Sequence, residues 1–375
     1  MKVLGNKSLL NENLALILNS SQSKTPCGDD PWVKQTSLAT SRLANLGHVL
    51  ITSLGLATWE IQVQQTARWR GRQIIICPDS EGAECDEIFR RIVVEFGLSA
   101  DEAAMIFLKP GEKSRSPKGN WQMRDEAAMA LANKIYPVSI RPGGKLERML
   151  KLEANLDKLD MTFALKYQKA LVQPPHYDIA EVQLEYPVWN YLTHWTRTQH
   201  GPWPGQTRHD YYSKLVVSGN SYPNNAFATL LNIVEEKRIR ASSEKIRDSY
   251  PAIGFTECSP ADSLKMLRWC PKRVNWNFEP YGIAIARDAA EKLGVRPVVY
   301  GTDGDYKKFS EPDKPYFQSR GGDNVDWSRE REWRHIGDID LGQLPMDRMR
   351  LIAWREPEAA FLRGRTEIPV MAFRN

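Results

Sequence analysis

Short apolar runs alternate with longer segments of helical spacing in the first part of the chain. Each run is continuous in its apolar residues, as in parallel strands buried on both faces, and the last four follow helix-like segments. The pattern therefore predicts an α/β domain with a doubly wound parallel sheet over residues 1–150. The predicted strands are Leu14–Leu18, His48–Thr52, Gln73–Cys77, Ala104–Leu108 and Tyr136–Ile140.

The pattern changes after Ile140. A Pro-Gly-Gly turn is followed by a charged, amphipathic segment, Lys145–Lys169, which predicts a helix, and then by two prolines. Turn residues of this kind mark a boundary, so we place a helical linker at 151–185 and a second domain at 186–375. This second domain is rich in Trp, Tyr and Pro, and its short strands predict an α+β fold. These strands are Leu215–Val217, Ala252–Phe255, Tyr281–Ile285, Pro297–Tyr300 and Arg350–Trp354.

Composition and charge are those of a folded protein with two domains. The chain has 375 residues, more than one hydrophobic core usually supports, and 42% of them are hydrophobic. Its formal net charge of +5 is small, and no stripe of Lys and Arg dominates any segment. The most basic local segments, Arg68–Arg72 and Lys237–Arg240, are interpreted as helix ends, where the helix dipole favours cations.

Cysteine usage and hydropathy indicate a cytoplasmic protein. The five cysteines are odd in number and contain no Cys-x-x-Cys pair, so neither a disulfide framework nor a zinc site is predicted. His194, His200 and His209 match no zinc spacing either. No apolar run approaches the roughly 20 residues that span a bilayer, and no signal peptide is recognised, so we expect no membrane partner.

The loops that follow the first two predicted strands are the candidate site of the first domain, because ligands of doubly wound sheets bind at the carboxyl ends of strands. The first loop is polar and includes Ser20 and Ser21. The second has Gly55 in a tight turn, followed by Thr58 and Glu60 at a helix start, where free amides bind phosphate. A plain strand-to-helix turn is the alternative interpretation.

The Gly-x-x-Thr-x-Glu turn, together with a later Arg-Asp helix that starts at Arg124, resembles the SLOG-type Rossmann-like superfamily. This superfamily is related to the DNA-processing and cytokinin-activating Rossmann proteins. The resemblance covers roughly residues 10–150 and implies recognition of a nucleotide or nucleotide-derived ligand, often by a sensor domain. The sequence departs from the family at Ala57, where the family has the second of two glycines.

Two carboxylates lie two residues apart in the late segment Asp326–Arg334. On an extended strand, Glu330, Glu332 and Arg334 would share one face. Two acids that point into the same space repel each other, and this repulsion raises the pKa of one of them. The segment is therefore a candidate catalytic element, although a solvated run of alternating charges explains the same sequence.

Four segments of the second domain resemble, in their order, the ADP-ribosyltransferase fold over about residues 186–356. They are a strand with His and Thr two apart, a strand with a hydroxyl beside an acid, a Tyr-Gly strand and the late Glu strand. The last also resembles an uncharacterised bacterial family with a Trp-x-x-Glu-x-Glu-Trp-Arg element. The residues are His194 and Thr196, Thr256 and Glu257, Tyr281, and Glu330 and Glu332.

This resemblance implies NAD as co-substrate and a role for each residue. Glu332 would bind a ribose hydroxyl and stabilise the oxocarbenium-like cation, as carboxylates do in glycoside hydrolysis. Glu330 would orient the acceptor, and His194 would hold the ribose or the nicotinamide amide. The other expected NAD contacts are Thr196, Arg197, Thr256, Glu257 and Tyr281. The sequence departs from the family's Ser-Thr-Ser strand, which is Phe255-Thr256-Glu257 here.

We therefore expect an NAD-consuming ADP-ribosyltransferase or NAD glycohydrolase with a nucleotide-sensing first domain, as in a stress or phage-defence effector. The prediction requires His194 and Glu332 to face one cleft. The acceptor, whether protein, nucleic acid or water, stays open, as does homo-oligomerisation. One alternative is a non-catalytic binding protein in which the acids form a structural ion network. Another is a nucleic-acid enzyme that holds a divalent ion on Glu257, Glu330 and Glu332.

Overall fold

The chain forms two compact units, each with its own hydrophobic core. The computed structural model describes residues 2–20, 23–78, 82–109, 117–168, 175–179, 182, 188–243, 246–320 and 327–374. Unit 1 comprises Met1–Val172 and Gly205–Pro223, and unit 2 comprises Gln173–Pro204 and Asn224–Asn375. Residues 205–223 thus belong to unit 1, although the sequence analysis counted them with the second domain. Among the described residues, no helix is long and apolar enough to cross a bilayer.

Unit 1 contains the doubly wound α/β sheet that the sequence predicts. Its order is β1-β5-β4-β3-β2-β6, in which β2 to β6 are parallel. The edge strand β1, which pairs antiparallel with β5, was not predicted from the sequence. The strands are β1 (Lys2–Gly5), β2 (Leu14–Asn19), β3 (Val49–Ser53), β4 (Arg72–Cys77), β5 (Ala103–Phe107) and β6 (Lys134–Ser139).

The strand order of unit 1 reverses at β2, because β3 lies on one side of it and β6 on the other. In doubly wound sheets this reversal opens a crevice at the carboxyl ends of the strands. The helices of the unit are α1 (Pro31–Asn45), α2 (Trp59–Arg68), α3 (Ala83–Phe96), α4 (Pro117–Leu131), α5 (Lys145–Leu150), α6 (Glu153–Leu156) and α7 (Arg208–Val216).

Two elements of unit 1 differ from the sequence-based predictions. The strand predicted at Leu215–Val217 is wrong, because Leu215 lies in α7, where it and Tyr211 are buried one helical turn apart against Ile61. The helix predicted over Lys145–Lys169 is present only in its first half, as α5 and α6. After α6 the chain is extended beside β6, where burying Phe163 against Tyr136, with ring centroids 5.6 Å apart, is favoured over helix continuation.

Unit 2 is an α+β unit around a mainly antiparallel sheet in the order β13-β16-β9-β7-β12-β18-β19. The strands are β7 (Tyr191–Trp195), β8 (Arg238–Ile239), β9 (Ala252–Thr256), β10 (Trp269–Cys270), β11 (Asn275–Trp276), β12 (Gly282–Ala286), β13 (Arg296–Pro297), β14 (Val299–Gly301), β15 (Phe317–Ser319), β16 (Glu332–Ile336), β17 (Ile339–Asp340), β18 (Met349–Arg355) and β19 (Val370–Arg374). The helices are α8 (Ala226–Glu236), α9 (Pro260–Lys265), α10 (Arg287–Lys292), α11 (Asp303–Tyr306) and α12 (Glu356–Arg363).

The core of unit 2 lies on the central strands. Ile283 and Ile285 of β12 and Leu351 of β18 are fully buried. The strands predicted around 252–255, 281–285 and 350–354 are present, whereas the predicted strand Pro297–Tyr300 is divided between β13 and β14. The antiparallel pairing of β16, β9, β7 and β12 determines which of their side chains share a face.

Candidate functional site

The four strands that carry the motifs of the second domain are neighbours in one sheet, in the order β16-β9-β7-β12. Glu332 pairs with Thr256, and Thr256 pairs with Thr193, so these three side chains share one face. His194 follows Thr193 and therefore points to the opposite face, where its ring lies 5.8 Å from that of Phe255. The expectation that His194 and Glu332 face one cleft is wrong, because the register separates their side chains.

Glu332 is held by a buried arginine two residues along β16. Arg334 is 2% exposed, and it donates from Nε to Oε1 of Glu332 at 2.7 Å and from Nη2 to Oε2 at 3.0 Å. Its remaining donors bind the carbonyl oxygens of Pro315 and Phe317 and the side chain of Gln318. Two parallel hydrogen bonds hold the guanidinium and the carboxylate in a single relative orientation. The carboxylate of Glu332 is therefore fixed in position.

Glu330 does not lie on the strand, which corrects the sequence-based prediction. It ends a 3-10 helix, Trp327–Glu330, and Arg331 then adopts a left-handed conformation with φ +46° before β16 begins. The Arg331 amide donates to the carbonyl of Ser328 at 3.1 Å, which closes the turn. The hydroxyl of Thr256 donates to the backbone carbonyl of Glu330 at 2.5 Å. Thr256 therefore positions Glu330 beside the start of β16.

The two acids lie close enough to affect each other, but their environments differ. Burial, followed by the negative charge of Glu332, raises the pKa of Glu330 to about 7. Among the described residues, its carboxyl has no hydrogen-bond partner, whereas Arg334 binds both oxygens of Glu332. Glu330 can thus exchange a proton near neutral pH, and Glu332 presents a paired, immobile carboxylate.

Tyr300 and Arg268 belong to this site, although the sequence analysis assigned them no role. The hydroxyl oxygen of Tyr300 accepts a hydrogen bond from the Glu332 amide at 2.9 Å, and burial raises the pKa of Tyr300 to about 12. Arg268 lies over the ring of Trp327, 5.6 Å from its centroid, and its charge opposes the rise of the Glu330 pKa. Neither residue stands in a recognisable motif, so only the folded chain reveals them.

His194 is anchored to β9 and is neutral at physiological pH. Its Nδ1 lies 2.8 Å from the carbonyl oxygen of Gly254, and burial lowers its pKa, with a further contribution from Arg197. Because a carbonyl can only accept, Nδ1 carries the proton. On the other face, a Cβ on Gly254 would lie 3.4 Å from Oε1 of Glu332. Gly254 therefore contacts His194 through its backbone and leaves space beside Glu332.

Thr196 and Tyr281 are engaged in the core, which corrects their assignment to NAD binding. Thr196 is 2% exposed and donates to the carbonyl oxygen of Ala226 at 2.8 Å. Tyr281 is also buried and donates to Glu358 at 2.9 Å. Both hydroxyl protons are thus used to join neighbouring elements of unit 2.

Glu257 lies on the opposite face from Glu332. It forms ion pairs with Arg287, at 3.1 Å, and with Arg331, and it accepts a hydrogen bond from the indole of Trp333. Glu257 thus belongs to a structural ion network, as one alternative interpretation of the sequence proposed, but Glu332 is not part of that network. The three carboxylates proposed for a divalent ion do not converge. Within the described ranges, no group of three His, Cys, Asp or Glu side chains could hold a metal ion.

In unit 1, the polar strand ends meet where the strand order reverses. The hydroxyl of Ser20 accepts a hydrogen bond from the Arg141 amide at 2.8 Å, and the Ser20 amide donates to the carbonyl of Ser139 at 3.0 Å. These bonds join the ends of β2 and β6. Ser21, the other serine of the predicted site, lies outside the described residues.

Gly55 and Arg124 come together at the end of β3. Gly55 has φ +81°, and a Cβ on it would lie 2.8 Å from Nη1 of Arg124. Arg124 donates to the Leu54 carbonyl and forms a buried ion pair with Asp125 at 2.7 Å. Thr58 is 3% exposed and precedes α2 without a side-chain cap. The missing side chain at Gly55 therefore makes room for Arg124, so a bound phosphate is not needed to explain why this residue is a glycine.

Glu60 contacts α7, not a ligand site at the strand ends, which corrects its predicted role. Its carboxylate accepts a hydrogen bond from Arg208 at 3.0 Å, and Arg208 also pairs with Glu95 at 2.8 Å. Burial raises the pKa of Glu60 to about 7, although Arg208 and Tyr212 oppose the rise. The residue therefore serves the packing of α7 in unit 1.

Comparison with known proteins gives weak matches. No family model matches the chain, and no curated protein sequence is significantly similar to it. Among solved structures, DNA processing protein A from Helicobacter pylori, described for its single-stranded DNA binding mode, is 15% identical, with a TM-score of 0.31 over 42% of this chain and 68% of that chain. DNA processing protein A from Streptococcus pneumoniae is 11% identical, with a TM-score of 0.32 over 45% of this chain and 55% of that chain. At these TM-scores the similarity carries no argument about activity.

Proposed function

We propose that unit 2 cleaves the bond between nicotinamide and ribose in NAD and passes the ADP-ribosyl group to an acceptor or to water. The observation that carries the proposal is the pair Glu330 and Glu332, two neighbouring carboxyls in different environments. One has a pKa raised to about 7, and the other is paired with a buried arginine. Neighbouring carboxyls with separated protonation behaviour are the arrangement that acid–base catalysis at a glycosidic bond uses.

Glu332 would act on the ribose. When the bond from the ribose C1′ to the nicotinamide nitrogen breaks, its electron pair leaves with nicotinamide and positive charge develops on the ribose ring. A carboxylate already fixed by Arg334 can stabilise that charge without reorganising. This preorganisation supports Glu332 as the residue that faces the reacting carbon.

Glu330 would act on the acceptor. A hydroxyl, amine or water that attacks the ribose carbon must lose a proton, and a general base is most effective when its pKa is near the working pH. Glu330 meets this condition, and its carboxyl has no competing hydrogen bond within the described part of the chain. The proton would therefore pass from the acceptor to Glu330.

The face of the sheet that carries Glu332 also holds a glycine and a buried hydroxyl. Gly254 has no side chain there, and Thr193 is 1% exposed. In the ranges that the structure describes, Oγ1 of Thr193 has no hydrogen-bond partner. A buried, unsatisfied hydroxyl costs stability unless a ligand satisfies it. At 1% exposure this hydroxyl is closed to a ligand in the structure, so the proposal rests on the two acids.

A pair of matched variants tests the proposal. Glu332→Gln and Glu257→Gln each remove a carboxylate charge from an arginine pair, on opposite faces of the same sheet. We expect both to lose stability, but only Glu332→Gln to lose nicotinamide release from NAD, by about 100-fold or more. The measurement is chromatography of nicotinamide at a temperature where both variants are folded. Equal loss in both variants, or wild-type release by Glu332→Gln, would contradict the proposal.

We propose separately that unit 1 binds a nucleotide. The supporting observation is that Ser20 and Arg141 meet at the point of strand-order reversal, with Gly143 nearby at φ +69° and no atom within 4 Å of its Cβ position. Asp tolerates a left-handed backbone better than most residues, so Gly143→Asp should fold with a modest loss of stability while repelling a phosphate. We expect AMP to raise the melting temperature of Glu332→Gln, which lacks the proposed catalytic carboxylate. We expect no such rise in the double variant that also carries Gly143→Asp. An equal shift in both proteins would refute this site.

A further inference from the structure

Arg268 and Glu330 are neighbours in the candidate site. The guanidinium of Arg268 lies over the ring of Trp327, 5.6 Å from its centroid. Trp327 begins the 3-10 helix that Glu330 ends, and side chains three residues apart in such a helix lie on the same side. The arginine is therefore beside Glu330, and its charge opposes the rise that burial causes in the Glu330 pKa.

The position of Arg268 is fixed by its backbone and by the indole. Its amide donates to Oδ1 of Asn277 at 2.8 Å, and the Asn277 amide donates to the Arg268 carbonyl at 3.0 Å. Asn277 is itself held, because its Nδ2 donates to the carbonyl of Met266 at 3.1 Å. An arginine stacked on an aromatic ring keeps its N–H donors, which lie in the guanidinium plane, available to another partner.

The charge of Arg268 is not used inside the described part of the protein, unlike that of two nearby arginines. Arg334 is paired with Glu332, and Arg331 is paired with Glu257. Arg268 is exposed, and within the described ranges its guanidinium has neither an ion-pair nor a hydrogen-bond partner. A planar guanidinium in this state can bind one carboxylate or phosphate through two parallel hydrogen bonds.

We propose that Arg268 binds an anionic group of the acceptor, so that ADP-ribose passes to a hydroxyl that lies close to a carboxylate or a phosphate. This inference rests on the proposed NAD chemistry and adds the chemical class of the acceptor. The hydroxyl oxygen forms a bond to the ribose C1′, the bond from C1′ to nicotinamide breaks, and nicotinamide leaves with its electron pair. The hydroxyl proton passes to Glu330.

The same two residues explain why the attacking group is a hydroxyl. A nucleophile that needs Glu330 as a base carries a proton, whereas a carboxylate at neutral pH has none to lose. An ammonium group also carries protons, but the charge of Arg268 repels it. A hydroxyl is neutral and can approach both residues.

A single arginine favours a small acceptor with one anionic group over an extended polyanion, which is held by several phosphate contacts. Arg268 lies at the open end of the hairpin formed by β10 and β11. Arg273 lies in the turn of this hairpin and is also exposed. A polyanion that ran along the hairpin would use both arginines, so Arg273 provides a matched control.

A comparison of two acceptors tests the proposal on the full-length chain. NAD is supplied with either glycerol or glycerol 3-phosphate at equal concentration, and chromatography measures the ADP-ribosylated product. We expect the wild type to prefer glycerol 3-phosphate by about 10- to 100-fold, because a hydrogen bond to a charged group contributes roughly 1.5–3 kcal/mol. A parallel arm with glycerate distinguishes a carboxylate from a phosphate.

Three variants assign the preference to Arg268. Arg268→Gln should remove it, and Arg268→Lys, which keeps the charge but not the planar fork, should retain part of it. Arg273→Gln removes the same charge from the same hairpin and should keep the wild-type preference. The ratio between the two acceptors is the readout, because a change in folding or in the Glu330 pKa alters both rates alike.

The outcomes separate this proposal from the NAD chemistry on which it rests. Without nicotinamide release in water alone, both proposals are refuted. If release occurs but the wild type uses glycerol and glycerol 3-phosphate equally, or uses neither, only the role of Arg268 is refuted. An equal loss of preference in Arg268→Gln and Arg273→Gln would overturn it in favour of a polyanion. A raised KM for NAD in Arg268→Gln, with the acceptor preference intact, would place Arg268 on NAD instead.

Discussion

At the residue scale, the behaviour of the candidate site follows from how differently two neighbouring carboxyls are surrounded. Arg334 occupies both oxygens of Glu332, while Glu330 is buried beside that charge and has a pKa of about 7. The sequence predicts that two nearby acids repel each other, and the direction of the Glu330 shift agrees. It does not predict which acid is paired, because the expected strand puts Arg334 on the same face as both Glu330 and Glu332.

We expect Glu330→Gln to stabilise the protein at alkaline pH. The folded-state pKa of about 7 exceeds the ordinary value of 4.5, so the folded state binds the proton more tightly than the unfolded state does. Stability therefore falls as pH rises from about 4.5 to 7, and a neutral glutamine avoids that fall. Urea denaturation at pH 8 should give a free energy of unfolding roughly 1–3 kcal/mol higher for the variant. At pH 4 the two proteins should be similar, and a variant that is less stable at pH 8 would contradict the account.

Tyr300→Phe tests the support of Glu332 by its neighbour. The change removes the oxygen that accepts the Glu332 amide and leaves that amide unsatisfied at the start of β16. We expect a loss of about 1–3 kcal/mol in the free energy of unfolding. Tyr191→Phe is a matched control, because Tyr191 is another half-buried tyrosine of unit 2 and its hydroxyl has no hydrogen-bond partner among the described residues. Equal stability of wild type and Tyr300→Phe would show that the hydrogen bond contributes nothing.

At the scale of elements, periodicity predicts strands better than it predicts which of their side chains meet. The five predicted strands of the first domain are all present, since buried parallel strands leave continuous apolar runs. The separation of His194 and Glu332 depends instead on pairing across β7, β9 and β16. Shifting a register by one residue reverses every side chain, and the sequence carries no direct record of register.

The position of His194 leads to a prediction for its replacements. If its role is to donate from Nδ1 to the Gly254 carbonyl, an asparagine amide can supply the same donor. We expect His194→Asn to keep most of the stability and the nicotinamide release, and His194→Ala to melt at a lower temperature. Loss of release in His194→Asn with unchanged melting would instead indicate that the imidazole contacts substrate.

One helix prediction and one strand prediction failed where tertiary contacts outweigh local sequence patterns. The segment after α6 has a helical pattern, yet it is extended because Phe163 and Leu165 pack beside β6. Likewise, Leu215–Val217 resembles a short strand, but Tyr211 and Leu215 share the buried face of α7. In both cases the decisive partner is distant in the sequence, so local patterns cannot reveal it.

At the scale of the whole molecule, the order of the chain does not match the division into units. The chain leaves unit 1 after Val172, returns at Gly205 to form α7, and leaves again after Pro223. Changes in composition indicate approximately where the chain first passes from unit 1 to unit 2, because the turn-rich and proline-rich segments lie near that point. They do not indicate the return, since residues 205–223 have the same aromatic-rich composition as their neighbours in unit 2.

Arg208→Met tests the attachment of α7 to unit 1. Arg208 pairs with Glu60 and Glu95, so its removal leaves two partly buried carboxyls without a counter-charge. We expect a lower melting temperature, and a larger loss at pH 8 than at pH 5, because Glu60 has a pKa of about 7 and ionises in between. Differential scanning fluorimetry at both pH values measures this. A loss independent of pH would exclude Glu60 as the relevant partner.

The most direct test of the central claim is the pH dependence of nicotinamide release from NAD, from about pH 5.5 to 8.5, by wild type and Glu330→Gln. We predict that the wild-type rate rises with a midpoint near pH 7, as Glu330 loses its proton and becomes able to accept one from the acceptor. The Glu330→Gln rate should be lower than the wild-type rate by about 100-fold or more, and it should not change with pH. No release by the wild type at any pH, or the same profile in both proteins, would contradict the account.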